Sequence, residues 1–148
     1  MSRSYAQLCT LVFAVVAVGG WFMGTADNVV NGVAQGNLGS LTLHMTYARD
    51  ILDLLLLLGF VYAGFLAGRS AGKWTVMGAG VVLLLLGIFG FINGDDTAAS
   101  KSVAGLDFAG IVNVFDTVFG ALAILSALGT LSDSDVAAHE NKSFLREG

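Results

Sequence analysis

Four polar side chains inside long apolar segments are the strongest candidates for chemistry in this sequence. Asp50 and Asp53 stand three residues apart near the start of one segment, and Asn113 and Asp116 have the same spacing near the start of another. Residues three apart share a helix face, so each pair predicts one polar face if the segments are helical. Because a charged side chain at the centre of a bilayer is unfavourable by about 2.5 to 3.5 kcal/mol, both faces are expected to point into the protein.

Three interpretations of these polar residues fit the sequence. They can form hydrogen bonds between helices, each of which stabilises the bundle by about 0.6 kcal/mol. They can be a proton or cation site, since clustered carboxylates in membranes mark ion pathways, or a docking point for a partner subunit that supplies the compensating charge. We expect Asp116 to be the most buried carboxylate, with Asp53 as its partner and a proton or cation held between them. Arg49 is expected either to neutralise one carboxylate or to reach the outer headgroups.

The composition indicates a membrane protein. Of the 148 residues 55% are hydrophobic, none is proline, and the mean hydropathy is +0.78. A helix that crosses a hydrocarbon core of about 30 Å needs about 20 apolar residues. Four segments meet this requirement, at about residues 5–24, 47–68, 74–93 and 108–131. Apolar and polar residues do not alternate along these segments, and lipid cannot satisfy backbone amides, so the segments are expected to be helices. The predicted fold class is all-α. The chain is expected to form an integral membrane four-helix bundle over 1–131, followed by a cytoplasmic tail over 132–148.

Positively charged residues in the short flanking segments predict the orientation. Five of them fall on one side of the predicted spans, and two on the other, with Arg3, Arg69, Lys73, Lys142 and Arg146 against Arg49 and Lys101. The positive-inside rule therefore puts both termini in the cytoplasm. The segments at about 25–46 and 94–107 then form outer loops, and 69–73 is a tight inner connection.

An internal repeat divides the four spans into two hairpins. The sequence GGWFMG ends the first span and FGFING ends the third, which aligns Gly20 with Gly90 and Gly24 with Gly94. In the second and fourth spans DILD aligns with NVFD. Both hairpins start and end on the same side, so the repeat is parallel. Small residues one turn apart also allow close helix packing, and we expect Gly20, Gly24, Gly90, Gly94 and Gly120 at helix contacts.

These motifs resemble a known family. The domain of unknown function 4383 family of prokaryotic membrane proteins is similar in its four spans, with G-x-x-G-F-x-x-G closing an odd span and N-x-x-H-x-x-x-G opening an even one. The resemblance covers most of residues 5–131 and runs through Gly87, Gly90, Phe91, Gly94, Asn113, Asp116 and Gly120 in the second half, and through Asp50, Asp53 and Leu57 in the first. Aspartate stands where the family has histidine, so a histidine-bound metal or pigment does not carry over. The resemblance implies a multi-pass protein of a prokaryotic plasma membrane and implies no activity.

The sequence argues against an enzyme. It contains no phosphate-binding glycine loop beside a lysine, no HExxH, no CxxC and no paired intramembrane histidines, and the lone Cys9 is typical of a packed apolar residue. We therefore predict no catalytic residue, cofactor or metal, and no nucleic-acid partner. The leading hypothesis is a structural or accessory subunit of a larger assembly, in contact with the lipid bilayer and with other membrane subunits or copies of itself. The alternative is an oligomeric proton or cation conductor that uses Asp50, Asp53, Asn113 and Asp116.

Overall fold

Four α-helices, one π-helix and three short strands make up the described part of the chain. The computed structural model describes residues 1–24, 29–30, 33–38, 41–93, 106, 108, 110–131 and 136. The elements are α1 (Ser2–Gly24), β1 (Val29–Val30), β2 (Val33–Leu38), β3 (Leu41–Met45), α2 (Tyr47–Val61), α3 (Arg69–Asn93) and α4 (Gly110–Leu128). By length and composition α1, α3 and α4 can each cross a membrane, which confirms the prediction of a helical membrane protein. The predicted outer loop 94–107 and the tail 132–148 lie almost wholly outside the described residues.

The second predicted span folds as two consecutive helical segments. Helix α2 continues directly into a π-helix over Tyr62–Leu66. At its end the N–H of Ala67 donates at 2.7 Å to the carbonyl of Tyr62, five residues earlier, which is the hydrogen-bond spacing of a π-helix. The chain then becomes extended, and the carbonyl of Gly64 accepts from side chains of α1 instead. Its donors are Arg3 Nε at 3.0 Å and Gln7 Nε2 at 3.2 Å. The π-helix thereby ties the end of this span to the start of α1.

An aromatic cluster joins α1, α2 and α4. Helix α1 packs against α2, and α3 packs against α4. The ring of Phe13 in α1 lies 5.3 Å from that of Phe60 in α2, and 5.6 Å and 6.3 Å from those of Phe115 and Phe119 in α4, measured between ring centroids. The hydroxyl of Tyr5 also donates to the carbonyl of Phe119 at 2.6 Å. Because Phe13 and Phe60 are fully buried, the hydrophobic core lies where these three helices meet.

Glycines allow α3 and α4 to approach closely. A Cβ atom added to Gly87 of α3 would overlap the hydroxyl of Thr117 and lie 2.7 Å from its backbone nitrogen. One added to Gly90 would overlap the side-chain amide of Asn113. Since real Cβ atoms do not come this close to other atoms, no other residue fits at Gly87 unless the helices move apart, and a larger residue at Gly90 requires the side chain of Asn113 to move.

The predicted packing glycines have different environments. Gly90 lies at the contact with α4, and a Cβ at Gly120 would lie 2.5 Å from a backbone nitrogen of α3, so both are at helix contacts as predicted. Gly20 is buried within α1, and Gly24 is the last residue of that helix. Gly94 lies outside the described residues. The close contact predicted from these glycines is therefore found between α3 and α4.

The predicted outer loop 25–46 contains an antiparallel sheet. Strand β2 pairs with β1 and with β3, and the register puts Leu38 opposite Leu41 and Ala34 opposite Met45. These strands were not predicted, although LTLHM alternates apolar and polar residues and a Gly-Ser pair separates the two longer strands, both of which are signals of a hairpin. The helical part of the predicted fold class is confirmed, and this sheet is an addition to it.

Candidate functional site

The first turns of α2 bury three charged side chains. Thr46 is the N-cap, and its hydroxyl accepts a hydrogen bond from the backbone N–H of Arg49 at 3.2 Å, which satisfies one of the free amides at the start of the helix. Arg49 and Asp50 are each 3% exposed, and Asp53 is 1% exposed. Helix α2 therefore begins at Thr46, and the charged side chains of its first two turns are buried.

Arg49 connects α2 to α4 through a bidentate ion pair. Its Nη1 and Nη2 atoms donate to Oδ2 and Oδ1 of Asp116, each at 2.6 Å. Its Nε atom donates to Oδ2 of Asp53, one turn further along α2, at 3.2 Å. The planar guanidinium presents its donors in a fork that matches a carboxylate, so this pairing fixes both distance and direction between the helices. We call Arg49, Asp53 and Asp116 the ion triad.

The ion triad corrects the predicted partner of Asp116. Asp116 is 0% exposed, the lowest value among the described carboxylates, as predicted. Its predicted partner Asp53 is not the group that it binds, because the guanidinium of Arg49 lies against both carboxylates. A positive charge on the side chain therefore occupies the place where a shared proton or a bound cation was expected. Of the two roles expected for Arg49, contact with a carboxylate or with the outer headgroups, the structure has the first.

Several buried oxygen atoms on α2 and α4 have no hydrogen-bond partner among the described groups. They are Oδ1 of Asp50, Oδ1 of Asp53, Oδ1 of Asn113 and Oγ1 of Thr117. For Asp53 this oxygen still lies 3.2 Å from Arg49 Nε, so it is in contact with a positive charge. A buried polar atom without a partner is unfavourable by about 1 to 3 kcal/mol. A proton, a water molecule or a cation at these oxygens would therefore be stabilising.

Asn113 faces α3 rather than the ion triad. Its Nδ2 atom donates to the carbonyl of Phe108 at 3.0 Å, which ties the start of α4 to the preceding segment. Its Oδ1 atom lies against the backbone of Gly90. Of the four predicted cluster residues, the structure brings Asp53 and Asp116 together through Arg49, places Asp50 beside them on α2, and uses Asn113 at the helix contact.

Asp50 lies on an apolar groove between α1 and α2. The groove has a volume of about 330 Å³ and is open along one side. Its lining residues are Ala17, Val18 and Trp21 of α1 and Asp50, Leu54 and Leu57 of α2. Asp50 is the single charged residue among these lining side chains. Asp50 thus borders the groove, while its Oδ1 atom is buried.

Two contributors to this site were not predicted as site residues. Thr46 has the residue type and position of a helix N-cap, a signal that the sequence contains. Arg49 was expected to neutralise a carboxylate or to reach the outer headgroups, and its three contacts depend on how α2 faces α4. Among the residues that the structure describes, no three histidine, cysteine or acidic side chains are arranged to hold a metal ion.

Comparisons of this chain with protein-family models, with curated proteins and with solved structures found no match. The resemblance to the domain of unknown function 4383 family therefore stays a prediction.

Proposed function

We propose that this protein is a small non-catalytic integral membrane protein that serves as a structural or accessory subunit of a larger membrane assembly. The observation that carries this proposal is the bidentate pair between Arg49 and Asp116. The guanidinium directs three hydrogen bonds into its own bundle, to Asp116 and to Asp53. A group held in this way joins two helices and is not available to polarise a substrate. The geometry therefore supports a lock between helices rather than a catalytic centre.

The surface of the bundle has room for lipid and for partner subunits. Large apolar side chains are exposed on all four helices, for example Leu11, Leu55, Leu85 and Leu125. On the outside of α3, no described atom beyond the adjacent residues and backbone of the helix itself lies within 4 Å of the position that a Cβ of Gly78 would take. A small residue on an outer face lets another helix approach closely. The bilayer would cover most of this surface, and another subunit or a second copy would cover the rest.

We further propose that the chain crosses the membrane four times as two repeated hairpins. Helix α2 and the following π-helix would form the second span, and the packing of α1 on α2 and of α3 on α4 supports the pairing. Both termini would be cytoplasmic, in the plasma membrane of a prokaryote, in keeping with the family resemblance. An experimental structure tests the repeat directly, because it predicts that α1 with α2 overlays on α3 with α4. Failure of that overlay would remove the repeat.

The subunit proposal is tested by the composition of the complex. The protein is extracted from its native membranes in mild detergent, and the intact complex is weighed by mass spectrometry. We expect a stable complex with at least one other membrane protein. A pure homo-oligomer or a monomer under conditions that preserve other complexes contradicts the accessory role.

Two variants on opposite sides of α3 locate the interface. Gly78→Leu adds a side chain to open space on the outer face, so we expect it to fold normally and to weaken association with the partner. Gly87→Leu would instead push α4 away and unfold the protein. Normal association of Gly78→Leu would exclude this face of α3 as the interface, and far-UV circular dichroism distinguishes the two effects.

A second function, an oligomeric proton or cation conductor, is favoured by the unpartnered oxygens of Asp50, Asp53, Asn113 and Thr117. Oxygens of this kind in a membrane interior can accept a moving proton or cation. Vesicles that contain the purified protein and a pH-sensitive dye would then show flux under a potassium gradient. Asp53→Asn should abolish the flux and leave assembly intact, because the stronger contacts of Arg49 are to Asp116. The absence of flux in vesicles of the parent protein rejects this function.

A further inference from the structure

We propose that a polar cavity at one end of the bundle binds the phosphate group of a phospholipid or of a soluble phosphate ester, with Arg3 and Arg69 as its cationic contacts. The cavity has a volume of about 390 Å³, is partly enclosed, and lies where α1 and α3 begin. It shares no lining residue with the ion triad or with the apolar groove, and its role is independent of the accessory and conductor functions. The lining residues are Met1, Ser2, Arg3, Ala63, Ala67, Gly68, Arg69, Gly72 and Thr130.

The surface of this cavity is mainly polar, and the charged side chains among its described lining residues are both positive. They are Arg3 and Arg69, which are exposed and therefore accessible to a ligand. The first turns of α1 and α3 contain no acidic residue that would oppose them. The start of a helix also carries a partial positive charge, which adds to the charge of Arg69 at the start of α3. This surface therefore favours an anion.

Both guanidinium groups have the donors that an anion requires. The Nε atom of Arg3 donates to the carbonyl of Gly64 at 3.0 Å, which positions the side chain at the cavity. An arginine has five N–H donors, so Arg3 and Arg69 can each keep another contact and still donate to a ligand. The planar fork of a guanidinium matches two oxygens of a phosphate. Two such groups around one cavity can therefore bind the several oxygens of a phosphate group.

Hydrogen bonds between three parts of the chain hold the walls of the cavity in place. The backbone N–H of Ser2 donates to the hydroxyl of Thr130 at 2.8 Å, and this hydroxyl donates to the carbonyl of Ser126 at 2.8 Å. The Nε2 atom of Gln7 donates to the carbonyl of Gly64 at 3.2 Å. The start of α1 is thus tied to the end of α4 and to the π-helix. A cavity that is formed before its ligand arrives requires less ordering on binding.

The size and position of the cavity favour a phosphate ester. Its volume of about 390 Å³ lies within the range of about 300 to 1,000 Å³ for small-molecule sites, which leaves room for more than an inorganic ion. Helices α1 and α3 can each cross a membrane, and both begin at the cavity. The cavity therefore lies at the level of the polar headgroups, where phospholipids present their phosphates. A soluble ester presents the same group, and the two sources are separated by experiment.

Binding of two phosphate compounds to the purified protein in dodecylmaltoside tests this site. Native mass spectrometry measures adducts of phosphatidylglycerol, with diacylglycerol as the control that has the same tails and no phosphate. Isothermal titration calorimetry measures binding of glycerol phosphate, with glycerol as its control. Binding of the lipid alone identifies the bilayer as the source of the ligand, and binding of glycerol phosphate identifies a site that soluble esters occupy. Binding of neither compound, or equal binding of the phosphate-free controls, would overturn the site.

We expect the affinity for the compound that binds to fall about 5-fold in Arg3→Gln and in Arg69→Gln, because each variant removes one ion pair at an exposed position. Lys73→Gln removes the same charge one turn further along α3, outside the described lining, and should bind like the parent. An equal loss in Lys73→Gln, or parental affinity in the double arginine variant, would overturn the site. The carbonyl of Gly64 keeps its hydrogen bond from Gln7 in Arg3→Gln. If this variant nevertheless fails to fold by circular dichroism, Arg69→Gln decides the outcome.

Discussion

Removal of one partner from the buried ion pair between Arg49 and Asp116 should strongly destabilise the bundle, because the other charge then stays buried without its partner. Asp116→Leu removes both acceptors at 2.6 Å, and each hydrogen bond to a charged group contributes about 1.5 to 3 kcal/mol. The two bonds together are therefore worth about 3 to 6 kcal/mol. Because Asp53 already contacts the guanidinium at 3.2 Å and can take over part of it, we expect Asp116→Leu to lower the free energy of unfolding by about 3 kcal/mol.

The corresponding change on α2 should be at least as severe. Arg49→Met keeps most of the side-chain volume but leaves Asp53 and Asp116 buried without a cation. Removal of one partner from a buried ion pair is unfavourable by about 3 to 5 kcal/mol. Asp116→Asn should be milder, at about 2 kcal/mol, since it retains one acceptor oxygen but turns an amide N–H₂ group toward the guanidinium.

A double-mutant cycle isolates the interaction between the two side chains. The free energy of unfolding is measured for the parent, the two single variants and the double variant by titrating the mole fraction of sodium dodecyl sulfate in dodecylmaltoside and recording circular dichroism. We expect Arg49→Met and Asp116→Leu to be non-additive by about 3 kcal/mol, because the second change removes a group whose partner is already lost.

The control cycle combines Asp116→Leu with Arg3→Met. Arg3 donates to the carbonyl of Gly64 at the other end of the bundle, so its effect should add to that of Asp116 within about 0.5 kcal/mol. Additivity in the Arg49 cycle as well would refute the assignment of the ion pair as an interhelical lock. An unchanged unfolding curve for Asp116→Leu would refute it at the first step.

Three further outcomes are expected. Gly87→Ala should lower the free energy of unfolding by about 1 to 3 kcal/mol. Gly78→Ala should not lower it, since its added methyl group meets open space. Equal effects of the two variants in the same detergent titration would contradict the close contact between α3 and α4. Phe13→Ala should lower the free energy of unfolding by about 3 to 5 kcal/mol in that titration. A loss smaller than about 1 kcal/mol would show that Phe13 is not at the centre of the hydrophobic core. In a Cys9→Ala background, Asn37→Cys should react with an impermeant maleimide added outside intact cells, and reaction only after the cells are opened would reverse the proposed orientation.

The sequence alone determined the class of protein and the positions of the apolar helices. The predicted spans 5–24, 74–93 and 108–131 correspond to α1 over Ser2–Gly24, α3 over Arg69–Asn93 and α4 over Gly110–Leu128. The match follows from a local requirement, because each segment must by itself supply about 20 apolar residues and satisfy its own backbone. The ends differ by up to five residues, since polar residues at a membrane surface continue a helix as easily as they end it.

The sequence also indicated which residues would be buried without determining their partners. A charge inside an apolar run must turn away from lipid, and this local argument correctly predicted the burial of Asp53 and Asp116. The same argument applied to Arg49, but it did not distinguish a contact with a carboxylate from a contact with headgroups. Burial is a property of one helix face, whereas pairing depends on two helices.

Only the tertiary structure decided that Arg49 binds Asp116 and Asp53. The periodicity of a helix specifies which residues share a face, but not the angle at which that face meets another helix. Here the aromatic contacts of Phe13 bring α1, α2 and α4 together, and the contact at Gly87 sets how near α3 comes to α4. These long-range contacts set the orientation of α2, so that the guanidinium of Arg49 reaches α4. The sequence pattern within α2 or within α4 does not specify this orientation.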